Sequence, residues 1–414
     1  MIRRPGTPAR SKPRLRLNSS FRVESPEKTL ALAKALALKF GISRVSEVTR
    51  MDRLGLPVFC SIRPRGQTLR VHAGKGLSPD EARVGAWMEA LEYAVAEPAN
   101  SAWTMRPVTA AELAVQLGPG ARLIDLVPAL GVVVAEDRRI EAVECEELRS
   151  GRKVMLPAEV VFVPFEPSDA ASLFGWTSNG LASGNSLEEA TLHALLEVLE
   201  RDAVSMNKPA DASQWVDPGS LPQPLADFAS TWRALGIALA VRHVPNEFAL
   251  PCFEACLHEP ESGSVDLAGG WGLHPDRGIA LTRAVCEAAQ SRLSHIHGGR
   301  EDITGFYATH TEWKASTRKE RQGRLVSRMF DERRRIEFDA VPHDPCEGAS
   351  LPEVLDRVLD LLAGAGFATV YRHRFAAELG NLHVVKVVVP KCEQFEPDSR
   401  RIGPRLLARI IGNA

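Results

Sequence analysis

"SNGLASGNSLEEATLHALLEVLERDA", Ser178 to Ala203, sets a Gly/Ser/Asn-rich loop ahead of a helical run carrying four glutamates, a histidine and an arginine. The run recurs. "GKGLSPDEARVGAWMEALEYA" (74–94) and "GWGLHPDRGIALTRAVCEAAQSR" (270–292) share with it the pattern Ala-x3-Ala-x2-Glu-x2-Glu/Gln. Its positions are Ala82, Ala86, Glu89 and Glu92; Ala190, Ala194, Glu197 and Glu200; and Ala280, Ala284, Glu287 and Gln290. Four matching positions in three copies, each behind a glycine-containing loop, mark one structural unit used three times.

A fainter repeat precedes these loops. "LAKALALKFGISRVSEVTRMDRLGLPVFCSIRP", "FASTWRALGIALAVRHVPNEFALPCFEACL" and "VLDLLAGAGFATVYRHRFAAELGNLHVVKVVVP" each read as a helix, a glycine (Gly41, Gly236, Gly366), a strand, a turn and a strand. The helices space apolar residues by three and four, and the strands are rich in Val, Ile and Phe. An α+β fold of several layers with mainly antiparallel strand pairs follows.

On a helix, residues at i, i+4 and i+7 form one stripe. Ala190, Ala194 and Glu197 therefore lie in line, with Glu200 to one side, and small alanines let a backbone or a ligand approach. A single Glu-x2-Glu pair is ordinary on a solvated helix. Here the flanks are apolar, "LLEVLE" and "WMEALE". If two such pairs converge, four carboxylates cannot all ionise without cations. Hard oxygen ligands of this kind suit Mg²⁺, which is commonly bound alongside phosphates. The loops offer N–H groups at helix starts, and Arg201, Arg283 and Arg292 offer fixed guanidinium forks. The constellation predicts a nucleoside triphosphate held with magnesium. No Gly-x4-Gly-Lys-Ser/Thr loop, dinucleotide fingerprint, kinase signature, Gly-x-Ser-x-Gly or His-Glu-x2-His is present. His193 falls near the carboxylates with no assigned role, and His295 and His297 stand at strand-like spacing without further ligands nearby.

Composition excludes other classes. The 414 residues are 44% hydrophobic and 25% charged, as in ordinary globular proteins. No run of eighteen apolar residues offers a membrane span, and a net charge of −1 gives no general pull toward nucleic acid. Seven scattered cysteines suit reduced thiols and a cytoplasmic location; Cys252 and Cys256 read as buried strand residues. Residues 1–22 carry seven Lys/Arg and no acid, and read as a disordered basic arm that could contact an acidic peptide.

The three glutamate motifs together closely resemble the signature of YcaO proteins. The likeness runs from residue 40 to 305 and more weakly beyond. "GKGLSP" and "SRLSHIHGGRED" look most like the branch found beside TfuA-type partners. The resemblance implies one domain over 23–400, with subdomains 23–165, 166–305 and 306–400, and a tail at 401–414. It implies ATP and Mg²⁺ bound between glutamate-bearing helices, with Mg²⁺ on Glu89, Glu92, Glu197 and Glu200. Nucleotide and phosphate would lie near Asn185, Glu189 and Arg201, joined by Arg283, Glu287, Gln290 and Arg292. Such enzymes activate a peptide backbone amide by O-phosphorylation, giving an azoline, a thioamide or an amidine according to the nucleophile. Two departures stand out. The sequence ends "GPRLLARIIGNA" where azoline-forming members carry Pro-x-Pro-x-Pro, which favours a thioamide in a ribosomally made peptide or a target protein. Tyr93 and Gly85 replace a common arginine and serine. The resemblance also allows a homodimer, a cyclodehydratase, or a non-catalytic accessory to another modifying enzyme.

Overall fold

A short hairpin of β1 (Leu15–Arg16) and β2 (Phe21–Arg22) leads into α1 (Pro26–Ala35), whose start is capped by the Ser25 hydroxyl. Three antiparallel strands follow, β3 (Arg44–Glu47), β4 (Val58–Ile62) and β5 (Val71–Lys75), and then α2 (Pro79–Ala96). The computed structural model describes residues 13–100, 104–118, 120–167, 172–260, 267–303, 315–375, 378–395 and 401–412. Residues 1–12 of the expected arm, and 413–414 of the tail, lie outside them.

Next come β6 (Arg106–Thr109), α3 (Ala110–Leu117), β7 (Arg139–Glu147), β8 (Lys153–Pro157), β9 (Leu181–Gly184) and α4 (Leu187–Asn207). They are followed by β10 (Gln214–Val216), α5 (Leu225–Ala234), β11 (Ala238–His243), β12 (Cys252–His258), β13 (Leu267–Leu273) and α6 (Arg277–His297). Helices Ala315–Met329 and Leu351–Gly364 flank β14 (Arg335–Ile336), and β15 (Tyr371–Arg374), β16 (His383–Val388) and helix Pro404–Gly412 come after.

The faint upstream repeat is real in three dimensions. Past the three helices, the N–H of Ile42, Ile237 and Phe367 bonds the carbonyl five residues back, at 2.9, 2.9 and 2.8 Å. Gly41, Gly236 and Gly366 sit inside these turns at φ of 69°, 80° and 87°. This is the left-handed closure in which glycine stops a helix and an apolar residue just beyond packs back. Each turn feeds the same antiparallel three-strand run: β3-β4-β5, β11-β12-β13 and β15-β16-β9. The third run is assembled out of chain order, its helix and hairpin coming from 351–388 and its last strand and long helix from 181–207. Strands from all three segments expected above therefore share one sheet, β6-β7-β15-β16-β9, with β8 on β7. A five-stranded sheet, β13-β12-β11-β10-β14, completes the framework.

The alanine stripe seats a helix on the last strand of each run at backbone distance. A Cβ on Gly74 would lie 2.1 Å from the Ala82 carbonyl oxygen and the Ala86 nitrogen. One on Gly184 would lie 2.6 Å from the Ala190 nitrogen, and one on Gly272 would lie 2.1 Å from the Ala280 oxygen. Ala82, Ala86, Ala190, Ala194, Ala280 and Ala284 are fully buried. The small stripe thus admits a neighbouring strand, not a ligand. The departure at Gly85 fits this contact, because its own Cβ would meet the Gly74 Cα at 3.2 Å.

All seven cysteines are buried free thiols, with Cys252 and Cys256 on β12 as expected. His295 and His297 are in the last turn of α6, not on a strand; the helical periodicity of "AVCEAAQSRL" simply continues through them. Helix 404–412 docks on α4, where Arg405 bonds the Asp202 carboxylate at 2.6 Å and Leu406 is buried. No helix among the described residues is long and apolar enough to cross a membrane.

Gly272→Ala should cost about 1–3 kcal/mol or more, because overpacking against backbone cannot relax by rotating a side chain. Gly323→Ala, in open space on the exposed 315–329 helix, should instead be neutral or stabilise by up to ~1 kcal/mol. Urea midpoints at unchanged slope measure both, and equal midpoints for the two variants would contradict the packing account.

Candidate active site

Strands β5, β9 and β13 are each the outer strand of their run, and their free edges face one cavity of about 540 Å³. That volume is within the usual range for small-molecule sites. An unpaired edge exposes N–H and C=O groups that need partners. Here the motif side chains supply them. Glu89 accepts from the Ala73 N–H at 3.1 Å, and Glu92 from the Ser183 N–H at 2.8 Å and its hydroxyl at 2.5 Å. Glu200 accepts from the Leu273 N–H at 3.1 Å, and the Gln290 amide donates to the Ala73 carbonyl at 3.3 Å. All six pattern positions, Glu89, Glu92, Glu197, Glu200, Glu287 and Gln290, line the cavity.

Burial raises the acid side of this wall. It pushes the Glu92 carboxyl to about 8, with Glu89 and Glu197 adding to the rise and the Ser183 bonds opposing it. Burial likewise raises Glu197 to about 7 and raises Glu89 and Glu200. Glu287 goes the other way, to about 2. Burial would raise it, but Lys75 at 2.7 Å and Arg201 at 3.6 Å outweigh that. Among the described residues no three acidic, thiol or imidazole groups converge on one point as a metal cage. The expected quartet is instead an arc of separate oxygens. Magnesium is typically held by one or two carboxylates with phosphate oxygens completing its shell, so an all-oxygen arc fits it.

Cations line the same cavity. His193 is flanked by Arg22 at 3.2 Å on Nδ1 and Arg283 at 3.3 Å on Nε2. Burial and these two cations hold its pKa well below the ordinary value, so the ring is neutral. A neutral imidazole has one acceptor nitrogen and a guanidinium only donates, so the two contacts cannot both be hydrogen bonds. Arg283 Nε is buried without a partner. An anion satisfies such a cluster of donors, which is the fit expected of a phosphate chain. Gln290 Oε1, also buried without a partner, is an acceptor and calls for a cation or a donor instead.

Glu189 is 2% exposed and serves the hairpin. It accepts from Arg22 at 3.2 Å, the Val23 N–H at 2.8 Å and the Asn185 N–H at 3.1 Å, while the Asn185 side chain bonds Thr29 at 2.9 Å. Both residues line the cavity. The expectation of a disordered arm is corrected for residues 13–22. Arg16 pairs with Asp276 at 2.8 Å, Arg14 lies 3.8 Å over the Phe21 ring, and Phe21 packs edge-on to His274. Charge count read the arm as solvated, but Arg16 and Arg22 pair with Asp276 and Glu189, acids more than 150 residues away. Arg292 is corrected too. It is paired with Asp52 at 3.0 Å and Glu259 at 2.5 Å, away from the cavity wall. Lys75, Arg22 and Trp271 line the site without having been singled out for it. Lys75 could have been found from "GKGLSP", since it falls one residue past the strand glycine that seats α2.

The YcaO cyclodehydratase family, described as ATP- and Mg²⁺-binding, matches residues 73–393. A protein of unknown function from Methanothermobacter thermautotrophicus is 32% identical over 400 residues, covering 93% of this chain and 98% of its own. One in the tfuA 3′ region of Rhizobium leguminosarum bv. trifolii is 29% identical over 385 residues, covering 90% and 88%. The structure of the YcaO protein of Methanopyrus kandleri bound with AMPPCP and Mg²⁺ superposes with a TM-score of 0.73 at 26% identity. It covers 93% of this chain and 96% of that one. The chain belongs to the YcaO family, an ATP-dependent class of cyclodehydratase-like enzymes.

Because burial leaves Glu92 and Glu197 protonated up to about 8 and about 7, a cation must displace those protons. Mg²⁺–nucleotide affinity should therefore weaken as pH falls through this window, with net proton release on binding. Calorimetry in two buffers of different ionisation heat reads this, and a buffer-independent heat would contradict it.

Proposed function

We propose that the chain activates a backbone amide of a peptide or protein by O-phosphorylation and delivers sulfur to it, giving a thioamide. The observation that carries the activation is the pairing of a buried carboxylate arc with a cationic cluster in one cavity. Glu89, Glu92, Glu197 and Glu200 would hold Mg²⁺. Arg22, Lys75, Arg201 and Arg283, with His193 and the loops before α2 and α4, would hold the phosphates. Bound ATP supplies the phosphoryl group that makes the amide oxygen a leaving group. The chain itself contributes position and charge, which suffices for phosphoryl transfer because little covalent work falls to the protein. Cys286 also lines the cavity, but burial pushes its thiol up to about 12, which keeps it protonated and a poor nucleophile.

One observation favours sulfur over ring closure. The rhizobial relative comes from a tfuA region, which supports a TfuA-like partner for this chain in the cytoplasm. Thermally folded enzyme, TfuA-like partner, sulfide source, ATP–Mg²⁺ and candidate peptide should give an oxygen-to-sulfur mass exchange. Loss of water from a Cys, Ser or Thr peptide would indicate a cyclodehydratase instead. Glu200→Gln keeps an oxygen for the Leu273 N–H but loses the charge, and turnover should fall about 100-fold or more. Unchanged product formation by that variant would indicate an accessory protein.

A further inference from the structure

The cations of the cavity divide in two. Arg22 and Arg283 flank His193, and Lys75 and Arg201 meet at Glu287. Arg300 stands elsewhere. It comes from beyond the C-terminus of α6, where Gly298 closes the helix at φ 63°. The turn brings it into the cavity lining, near Glu89, Tyr93 and Asp302. Asp302 accepts from its Nε at 3.1 Å and Nη2 at 2.7 Å, so two parallel bonds fix the guanidinium plane. Its charge acts on Glu89, Tyr93 and Asp302, and on Glu89 it is joined by Lys75, whereas Arg201 and Arg283 act on Glu197, Glu200 and Glu287. Arg300 also acts on the departure at Tyr93, whose phenol is bonded to Ser178.

Arg300, oriented by Asp302 beside Glu89, is thus a fifth cation in the same cavity, in reach of a second reactant. That reactant develops its own negative charge. When hydrosulfide adds to an amide, a sulfur lone pair forms the C–S bond and the carbonyl π pair moves onto oxygen. The proton stays on sulfur, and the charge that entered on HS⁻ ends on the former carbonyl oxygen. A preset donor at that oxygen is stronger toward the anion than toward the neutral carbonyl, so it lowers the barrier. We propose that Arg300, held by Asp302, receives the carbonyl oxygen of the substrate amide as it becomes an oxyanion, and so fixes which end of the cavity the peptide occupies. The inference rests on the amide-activation reading above and holds for any external nucleophile.

The test compares Arg300→Ala, Arg300→Lys and Asp302→Asn in the full chain, with thermal unfolding as the check on folding. Arg300→Ala should lower kcat about 100-fold or more, while AMPPCP–Mg²⁺ affinity falls far less, by no more than the loss of one charge beside Glu89 brings. Added guanidinium ion should restore part of the lost rate, and Arg300→Lys and Asp302→Asn should fall between Ala and wild type. If Arg300→Ala does not fold, Arg300→Lys carries the same comparison. A fall in nucleotide affinity matching the fall in kcat would assign Arg300 to the phosphates and overturn the inference. So would a kcat within about threefold of wild type. Wild-type enzyme that hydrolyses ATP but modifies no amide would overturn the amide-activation reading itself, and this inference with it.

Discussion

The distance between helix and strand governs this protein. Where Ala82 and Ala86 rest on Gly74, and Ala280 and Ala284 on Gly272, nothing larger than hydrogen separates the two backbones. A helix seated that close cannot rotate without lifting off the sheet. Glu89, three residues beyond Ala86, meets the Ala73 N–H on the edge of its own unit's strand. The second glutamates, Glu92 and Glu200, reach the edge N–H groups of Ser183 and Leu273 on the next unit's strand, and these carboxylates block strand addition while facing the cavity. One contact fixes both the fold and the position of the chemistry.

The same geometry produces the site's electrostatics. Carboxylates tied to strand edges lie deep between layers, and burial there opposes their ionisation. In the same cavity, two guanidiniums press on one neutral imidazole. Neither group is satisfied alone. A metal on the carboxylates and phosphate oxygens on the cations complete both, so the pocket is poised for a paired cation and polyanion.

Much of this was legible in the sequence because it is local. The alanine–glutamate spacing and the helix-stopping glycines depend on residues within one turn of each other. What was missed is non-local. The third unit takes its helix and hairpin from after residue 350 and its last strand from before 185, an order no short pattern can reveal. The basic arm looked solvated because its acids, Glu189 and Asp276, are far along the chain. Arg292 looked like a phosphate ligand for the converse reason: Asp52 and Glu259 claim it. Arg300 lies in "GGRED", beyond the third motif, and its place beside Glu89 follows from the turn at Gly298, which no local pattern signals.

The central claim is that the amide oxygen itself leaves on phosphate. The direct measurement is a turnover with peptide carrying oxygen-18 at the modified amide, followed by ³¹P NMR of the inorganic phosphate released. Label appearing in phosphate, one atom for each amide modified, is the predicted result. Phosphate labelled only from solvent water, beside a modified peptide, would contradict it.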